Sequence, residues 1–221
     1  MEVSQLVLEI KQNLKRQMSY DSTGKTPSAL SSMSNSDLHN IFTDIYSEQV
    51  RIRDMSVVRF SDSEIGDKIE KTIAWIKAPS KHFCLMLQGT PGNGKTTLAR
   101  TLYSMYRTVA PSSYFCTAYS LFEQYVRNEG GLENLFKEYL NCSYLFLDDL
   151  GAEPIRCLIY GTEHTPIQRL IDHRYTKRLP IIITTNYSDD MIADRYGIRC
   201  ADRLREMCSV LRFSAASYRG Q

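Results

Sequence analysis

The run Gly89-Thr90-Pro91-Gly92-Asn93-Gly94-Lys95-Thr96 fits the pattern G-x-x-x-x-G-K-[ST], with Thr97 following. That combination holds nucleotide phosphates. Glycines let a loop fold back so that its N–H groups converge on phosphate oxygens. A helix starting at the loop adds the positive end of its dipole. The Lys95 ammonium can reach the β- and γ-phosphates, and the Thr96 hydroxyl can ligate Mg²⁺. The flanks suit the motif, since Phe83 to Leu87 is a continuous apolar run and Thr97 to Tyr103 has helical spacing.

Three further segments carry groups suited to act on such a ligand. Tyr144-Leu145-Phe146-Leu147-Asp148-Asp149 is an apolar run that ends in two acids. Asp148 is placed to hold a hydrated Mg²⁺ and Asp149 to orient an attacking water. Pro180-Ile181-Ile182-Ile183-Thr184-Thr185-Asn186 is a second apolar run with a polar end. Asn186 can donate to the γ-phosphate or position the water; a turn-forming Asn is the plainer alternative. Ile198 to Glu206 holds Arg199, Arg203 and Arg205. Such a run is ordinarily a solvated basic face. Its sharper use is an arginine finger, a guanidinium offered to the γ-phosphate of a neighbouring subunit. Arg199 and Arg203 share one helical face at i and i+4.

Positioning these groups needs a parallel sheet. Strands are expected at 82–88, 113–118, 143–148, 180–185 and 209–213. Helical patterns lie between them at 95–108, 120–140 (broken at Gly130-Gly131), 165–178 and 188–207. Thr165-Pro166 and Ser188-Asp189-Asp190 are good helix starts. Such alternation implies a parallel sheet with helices on both faces. A helix over 64–77 precedes it, with Ile65, Ile69, Ile73 and Ile76 on one face beside Trp75.

Upstream, residues 3–18 suggest an amphipathic helix, and the Ser-rich stretch 19–36 reads as a linker. A further helix is expected over 37–51, capped by Ser36, with the stripe Leu38, Ile41, Phe42, Ile45 and Tyr46. A domain boundary is placed near 55–62. It divides a helical N-terminal region (1–60), able to pack on the main domain or bind a partner, from a main domain (61–221).

At 221 residues the chain suits one sizeable domain with a small appendage. Its net charge of +2 gives no field that would announce a nucleic-acid binder, so any DNA contact must come from local clusters such as Lys68, Lys71, Lys77 and Lys81. No apolar run is long enough to span a membrane, and the N-terminus does not read as a secretory signal. The six cysteines lack zinc spacing and read as reduced thiols of a cytoplasmic protein, Cys84 and Cys116 among the core.

Together these segments resemble AAA+ ATPases of the DnaC/DnaI/IstB type, which are helicase loaders and transposition helper ATPases. The resemblance covers roughly residues 64–219. It rests on Leu87 to Ala99, on Leu145-Phe146-Leu147-Asp148-Asp149-Leu150-Gly151-Ala152-Glu153, on Arg174 to Asn186, on Ala201-Asp202-Arg203-Leu204-Arg205 and on the ending Leu211-Arg212-Phe213…Ser217-Tyr218-Arg219. It implies an α/β P-loop NTPase fold with five parallel strands in the order 5-1-4-3-2. By resemblance Lys95 and Thr96 are the Walker A pair, Asp148 and Asp149 the Walker B acids, Asn186 sensor 1, Arg203 the arginine finger and Arg219 the sensor 2 arginine. The resemblance also implies ATP and Mg²⁺ as cofactors, ATP-driven self-assembly and binding of single-stranded DNA.

The chain departs from the family in three ways. Asp149 stands where many AAA+ enzymes have Glu, which implies slow hydrolysis. Few residues follow the last strand, so the helical C-terminal lid domain is expected to be absent. Residues 1–60 hold no cysteine and a single histidine, His39, and so lack the ligand set of a zinc-bearing loader domain. The first expectation is therefore a loader that grips a replicative helicase. The alternatives are an IstB-like transposition helper on duplex DNA that recruits a transposase, and a nucleotide-binding adaptor with little turnover.

Overall fold

A computed structural model describes residues 28–54, 64–78, 82–128 and 135–214. The expected helix over 3–18, Lys81 and Arg219 lie outside the described residues. The chain opens with α1 (Ser28–Ser31), α2 (Asn35–Asp54), α3 (Glu64–Lys77), β1 (Cys84–Gly89), α4 (Lys95–Val109), β2 (Ser113–Thr117), α5 (Ala118–Arg127) and α6 (Leu135–Asn141). It continues with β3 (Tyr144–Leu150), β4 (Cys157–Ile159), β5 (Thr162–His164), α7 (Pro166–Lys177), β6 (Ile181–Thr185), α8 (Asp189–Tyr196), α9 (Ile198–Met207) and β7 (Cys208–Phe213).

Five strands form one parallel sheet in the order β2-β3-β6-β1-β7. Counting only that sheet's strands and reading from the β7 edge, this is 5-1-4-3-2, as expected. The central strands are apolar on both faces because helices cover both. Alternation along each strand sorts the side chains. Leu85, Leu87, Phe146 and Ile182 join a core layer with α2, α3 and α4. Cys84, Met86, Leu145, Leu147, Ile181 and Ile183 join the opposite layer with α5 to α9.

Several boundaries differ from expectation. Ser34, not Ser36, caps α2, its hydroxyl accepting from the Asp37 N–H at 3.0 Å. The expected linker contains α1, whose Ala29 and Leu30 are buried in the core. The stripe of α2 is spent on the same core: Leu38 and Phe42 are fully buried against the layer that holds α3 and α4. Residues 28–54 therefore extend the sheet's own core and do not form a separate one. The helix expected over 188–207 is two helices, broken at Gly197 (φ 84°). The β4–β5 hairpin was not foreseen.

The basic cluster near the domain entrance is largely engaged within the protein. Lys68 is buried between Asp67 (3.2 Å) and Glu64 (3.5 Å), Lys71 pairs with Asp67 at 2.9 Å, and the Lys77 ammonium donates to the Met33 carbonyl.

Candidate functional site

The loops after β1, β3 and β6 meet at the carboxyl edge of the sheet, where open α/β folds bind ligands. They enclose a cleft lined by Pro91 through Thr97, Asp149 through Ala152, Asn186 and Tyr187. Gly92 (φ 86°) and Gly94 (φ 91°) take left-handed backbone, which glycine adopts without a Cβ penalty. The start of α4 has no side-chain cap at Gly94, so its first N–H groups face the cleft as an anion site. Lys95 is buried, and its ammonium donates to Gly89 O (2.7 Å), Thr90 O (2.6 Å) and Asn93 Oδ1 (3.1 Å). These acceptors preset the cation over the loop. Gly89 has a packing task as well as its place in the motif. A Cβ there would sit 2.2 Å from the Phe213 carbonyl, so glycine permits the close approach of β7. Neither Gly89 nor Thr90 lines the cleft.

Asp148 lies two residues before the end of β3, buried and opposite Thr96. The Thr96 hydroxyl donates to Asp148 Oδ1 at 2.9 Å. A second hydroxyl, from Thr184 on β6, donates to the same oxygen at 2.6 Å. Asp149 is exposed at φ 55°, an uncommon conformation for a residue with a Cβ. Its N–H donates to Thr184 Oγ1 at 2.9 Å. The β3–β6 ladder shifts register between Leu147 and Leu150, so neither acid pairs with β6, while Asp148 keeps its place opposite Thr117 on β2. Asn186 follows β6 and faces the cleft with Asp149.

These residues fit a triphosphate and a divalent cation. Thr96 and Asp148 supply hard oxygens, the donor type Mg²⁺ takes, usually completed by phosphate oxygens and water. No group of three or more His, Cys, Asp or Glu able to hold a metal occurs among the described residues. A cation here would rely on the nucleotide for its remaining ligands.

The arginines divide differently from expectation. Arg203 was expected to be offered to a neighbouring copy. Its guanidinium is instead paired within the chain to Asp172 and lies over the Tyr175 ring at 5.2 Å, with its side chain 15% exposed. Arg199, one turn earlier on α9, is exposed.

Sequence reasoning missed the residues that hold this site in shape. Thr184 and Thr185 read only as the polar end of a strand. Thr184 bridges both acids, and Thr185 donates to Leu150 O at 2.8 Å, stitching the β3 irregularity to β6. Gln88 donates to Tyr187 O (2.9 Å) and Asp189 Oδ1 (2.8 Å), pinning the loop after Asn186 to the end of β1. Arg174, quoted in the motif without a role, is fully buried and braces the opposite, amino edge of the sheet, away from the cleft. It donates to Tyr139 O, Leu140 O and Cys142 O near the end of α6 and to Pro180 O before β6. Polar residues inside otherwise apolar runs were the available signal.

The family model for IstB-like ATP binding proteins matches residues 51–221. No curated protein sequence matches the chain. Among solved structures, the crystal structure of the DnaC helicase loader is 22% identical, with a TM-score of 0.54, covering 71% of this chain and 94% of that one. The crystal structure of DnaI is 18% identical, with a TM-score of 0.56, covering 85% and 94%. AMPPCP-bound DnaA from Aquifex aeolicus is 15% identical, with a TM-score of 0.55, covering 71% and 49%. At these identities the structures speak to fold alone. The family match spans most of the chain and includes every element of the cleft, so the protein belongs to the IstB-like ATP-binding family of AAA+ proteins.

Proposed function

We propose that this protein is a Mg²⁺-dependent ATPase that acts as an assembly switch in DNA replication, delivering a replicative helicase to single-stranded DNA. The carrying observation is the Thr96–Asp148 contact of 2.9 Å beside the P-loop lysine, an arrangement suited to a metal-bound triphosphate. In this reading the loop N–H groups and Lys95 bind and orient the phosphates. Thr96 and Asp148 hold Mg²⁺, which supplies charge neutralisation at the transferring phosphoryl group. Asp149 orients the water, and Asn186 faces the γ-phosphate. Asp149 is a short acid in strained backbone, which favours slow turnover.

An arginine of α9 completes the site from a neighbouring copy. Arg203 carries that role by its motif, and its pairing with Asp172 must then open on assembly. Arg199 is the competing candidate, already exposed. Arg219 is proposed as the sensor 2 arginine on its motif alone. Helix α2 is committed to the core, so helicase contact is assigned to the residues before it. A transposition helper on duplex DNA is the second reading, favoured by the IstB-like family match. Six free cysteines and the absence, among the described residues, of any helix long and apolar enough to cross a membrane support a cytoplasmic setting. Hydrolysis assays with single- and double-stranded DNA, alongside pull-downs with a replicative helicase and with a transposase, test the choice. Stimulation by single strands with helicase capture supports loading. Stimulation by duplex with transposase capture overturns it. ATP binding without turnover under any of these conditions would leave an adaptor.

A further inference from the structure

Glu153 lies four residues beyond Asp149, and its side chain has 0% exposure. A buried carboxylate needs partners. Its Oε2 accepts the Gly151 N–H at 3.0 Å. Its Oε1 accepts the Tyr196 hydroxyl and lies 4.0 Å from the Arg195 guanidinium, which also donates to the Glu153 carbonyl. Burial, then the neighbouring carboxylate, pushes the Tyr196 phenol far above its ordinary range, so it stays a donor.

The two oxygens therefore reach different bodies. Gly151 belongs to the cleft wall, in the turn closed by the Ala152 N–H on Asp149 O at 3.1 Å. Tyr196 and Arg195 belong to the end of α8, which leads through Gly197 into the arginine-bearing α9. Tyr187 strengthens the same junction. Its hydroxyl donates to Gly151 O at 3.2 Å, and its ring lies so close that a Cβ on Gly151 would approach it to 2.9 Å. Stability alone does not call for a buried carboxylate here, because apolar replacement of a buried ion pair is often neutral.

We infer that Glu153 is a positioning residue that ties the turn behind Asp149 to helix α8, so that the cleft wall and the α8–α9 pair shift together. This rests on the cleft being an ATPase site. In that setting the strut couples the loop nearest the γ-phosphate to the helix that carries Arg199 and Arg203, a link between nucleotide state and the face shown to a second copy.

The test uses the full chain and three variants, Tyr196→Phe, Glu153→Gln and Glu153→Ala. Tyr196→Phe should bind a fluorescent ATP analogue within about twofold of wild type while kcat falls about tenfold, the scale expected of a slight misplacement of a catalytic group. Glu153→Gln should restore kcat to within about threefold of wild type, because its amide accepts from Gly151 and donates to Tyr196. In the ligand-free chain, hydrogen exchange should quicken at Gly151 and across α8 together in Tyr196→Phe and Glu153→Ala. Unchanged kcat in Tyr196→Phe, affinity and kcat falling in parallel, or faster exchange at one end only would each overturn the strut. A wild type with no ATP turnover would sink the ATPase reading instead, and the ligand-free exchange would still decide whether Glu153 links the two bodies.

Discussion

At the scale of residues the site depends on few atoms. The Lys95 ammonium is a cation preset by three oxygens, and replacing it removes the charge facing the phosphates. Lys95→Ala should weaken ATP binding at least about a hundredfold by calorimetric titration, since charge-assisted bonds to phosphate are among the strong ones. Retained affinity would show that phosphates bind elsewhere. Thr184 is a subtler case. One hydroxyl donates to Asp148 and accepts from the Asp149 N–H, so Thr184→Val removes both contacts while keeping shape and leaves Asp148 Oδ1 with the Thr96 hydroxyl. We expect a stability loss of about 1–3 kcal/mol by urea unfolding and slower hydrolysis with the Mg²⁺ requirement shifted upward. The thiols give a pH test. Burial pushes Cys116 and Cys200 up to about 12. Their folded-state pKa values are raised, so their contribution is complete below the unfolded thiol value and is lost as pH rises toward the folded one. The urea midpoint should therefore fall between about pH 9 and pH 12. A midpoint flat over that window would contradict the burial.

At the scale of elements, α2 is the instructive case. Its apolar stripe was legible, but its destination was not. A stripe records that a helix face is buried and is silent on what buries it. The structure spends that stripe on the sheet's core, so Phe42→Ala should cost about 3–5 kcal/mol and lower the melting temperature of the whole ATPase unit. A separately melting N-terminal unit would contradict this. The strands were readable because a parallel sheet covered on both faces demands continuous apolar runs. The P-loop, Asp148, Asp149 and Asn186 were readable because each sits where such a run stops. Thr184, Gln88, Glu153 and Arg174 were not assigned, because each has a partner distant in sequence: Asp148, Asp189, Tyr196 and Cys142. Gln88 and Asp189 lie 101 positions apart, a separation that no local pattern encodes. The β4–β5 hairpin escaped for a different reason. Its strands are three residues each, and Leu158 is 73% exposed, so no alternation marked it. For Arg203 the motif pointed to a second copy, and the partner it has within one copy, Asp172 on α7, lies 31 positions away and left no local signal.

At the scale of the molecule, one copy presents a phosphate cleft at the sheet edge and α9 displays arginines. Contacts of that kind join unlike surfaces and propagate from copy to copy. Adding a non-hydrolysable ATP analogue and single-stranded DNA should therefore raise the mass seen by light scattering, and Lys95→Ala should stay at its nucleotide-free mass. We propose that two copies build each working site, and mixing subunits of two inactive variants shows whether they do. Lys95→Ala alone and the double variant Arg199→Ala/Arg203→Ala alone should each hydrolyse ATP at background. An equal mixture should recover hydrolysis that neither variant shows alone, because mixed interfaces then join an intact cleft to an intact α9. A double variant that hydrolyses ATP at the wild-type rate by itself, or a mixture that stays at background, would mean that each copy works alone.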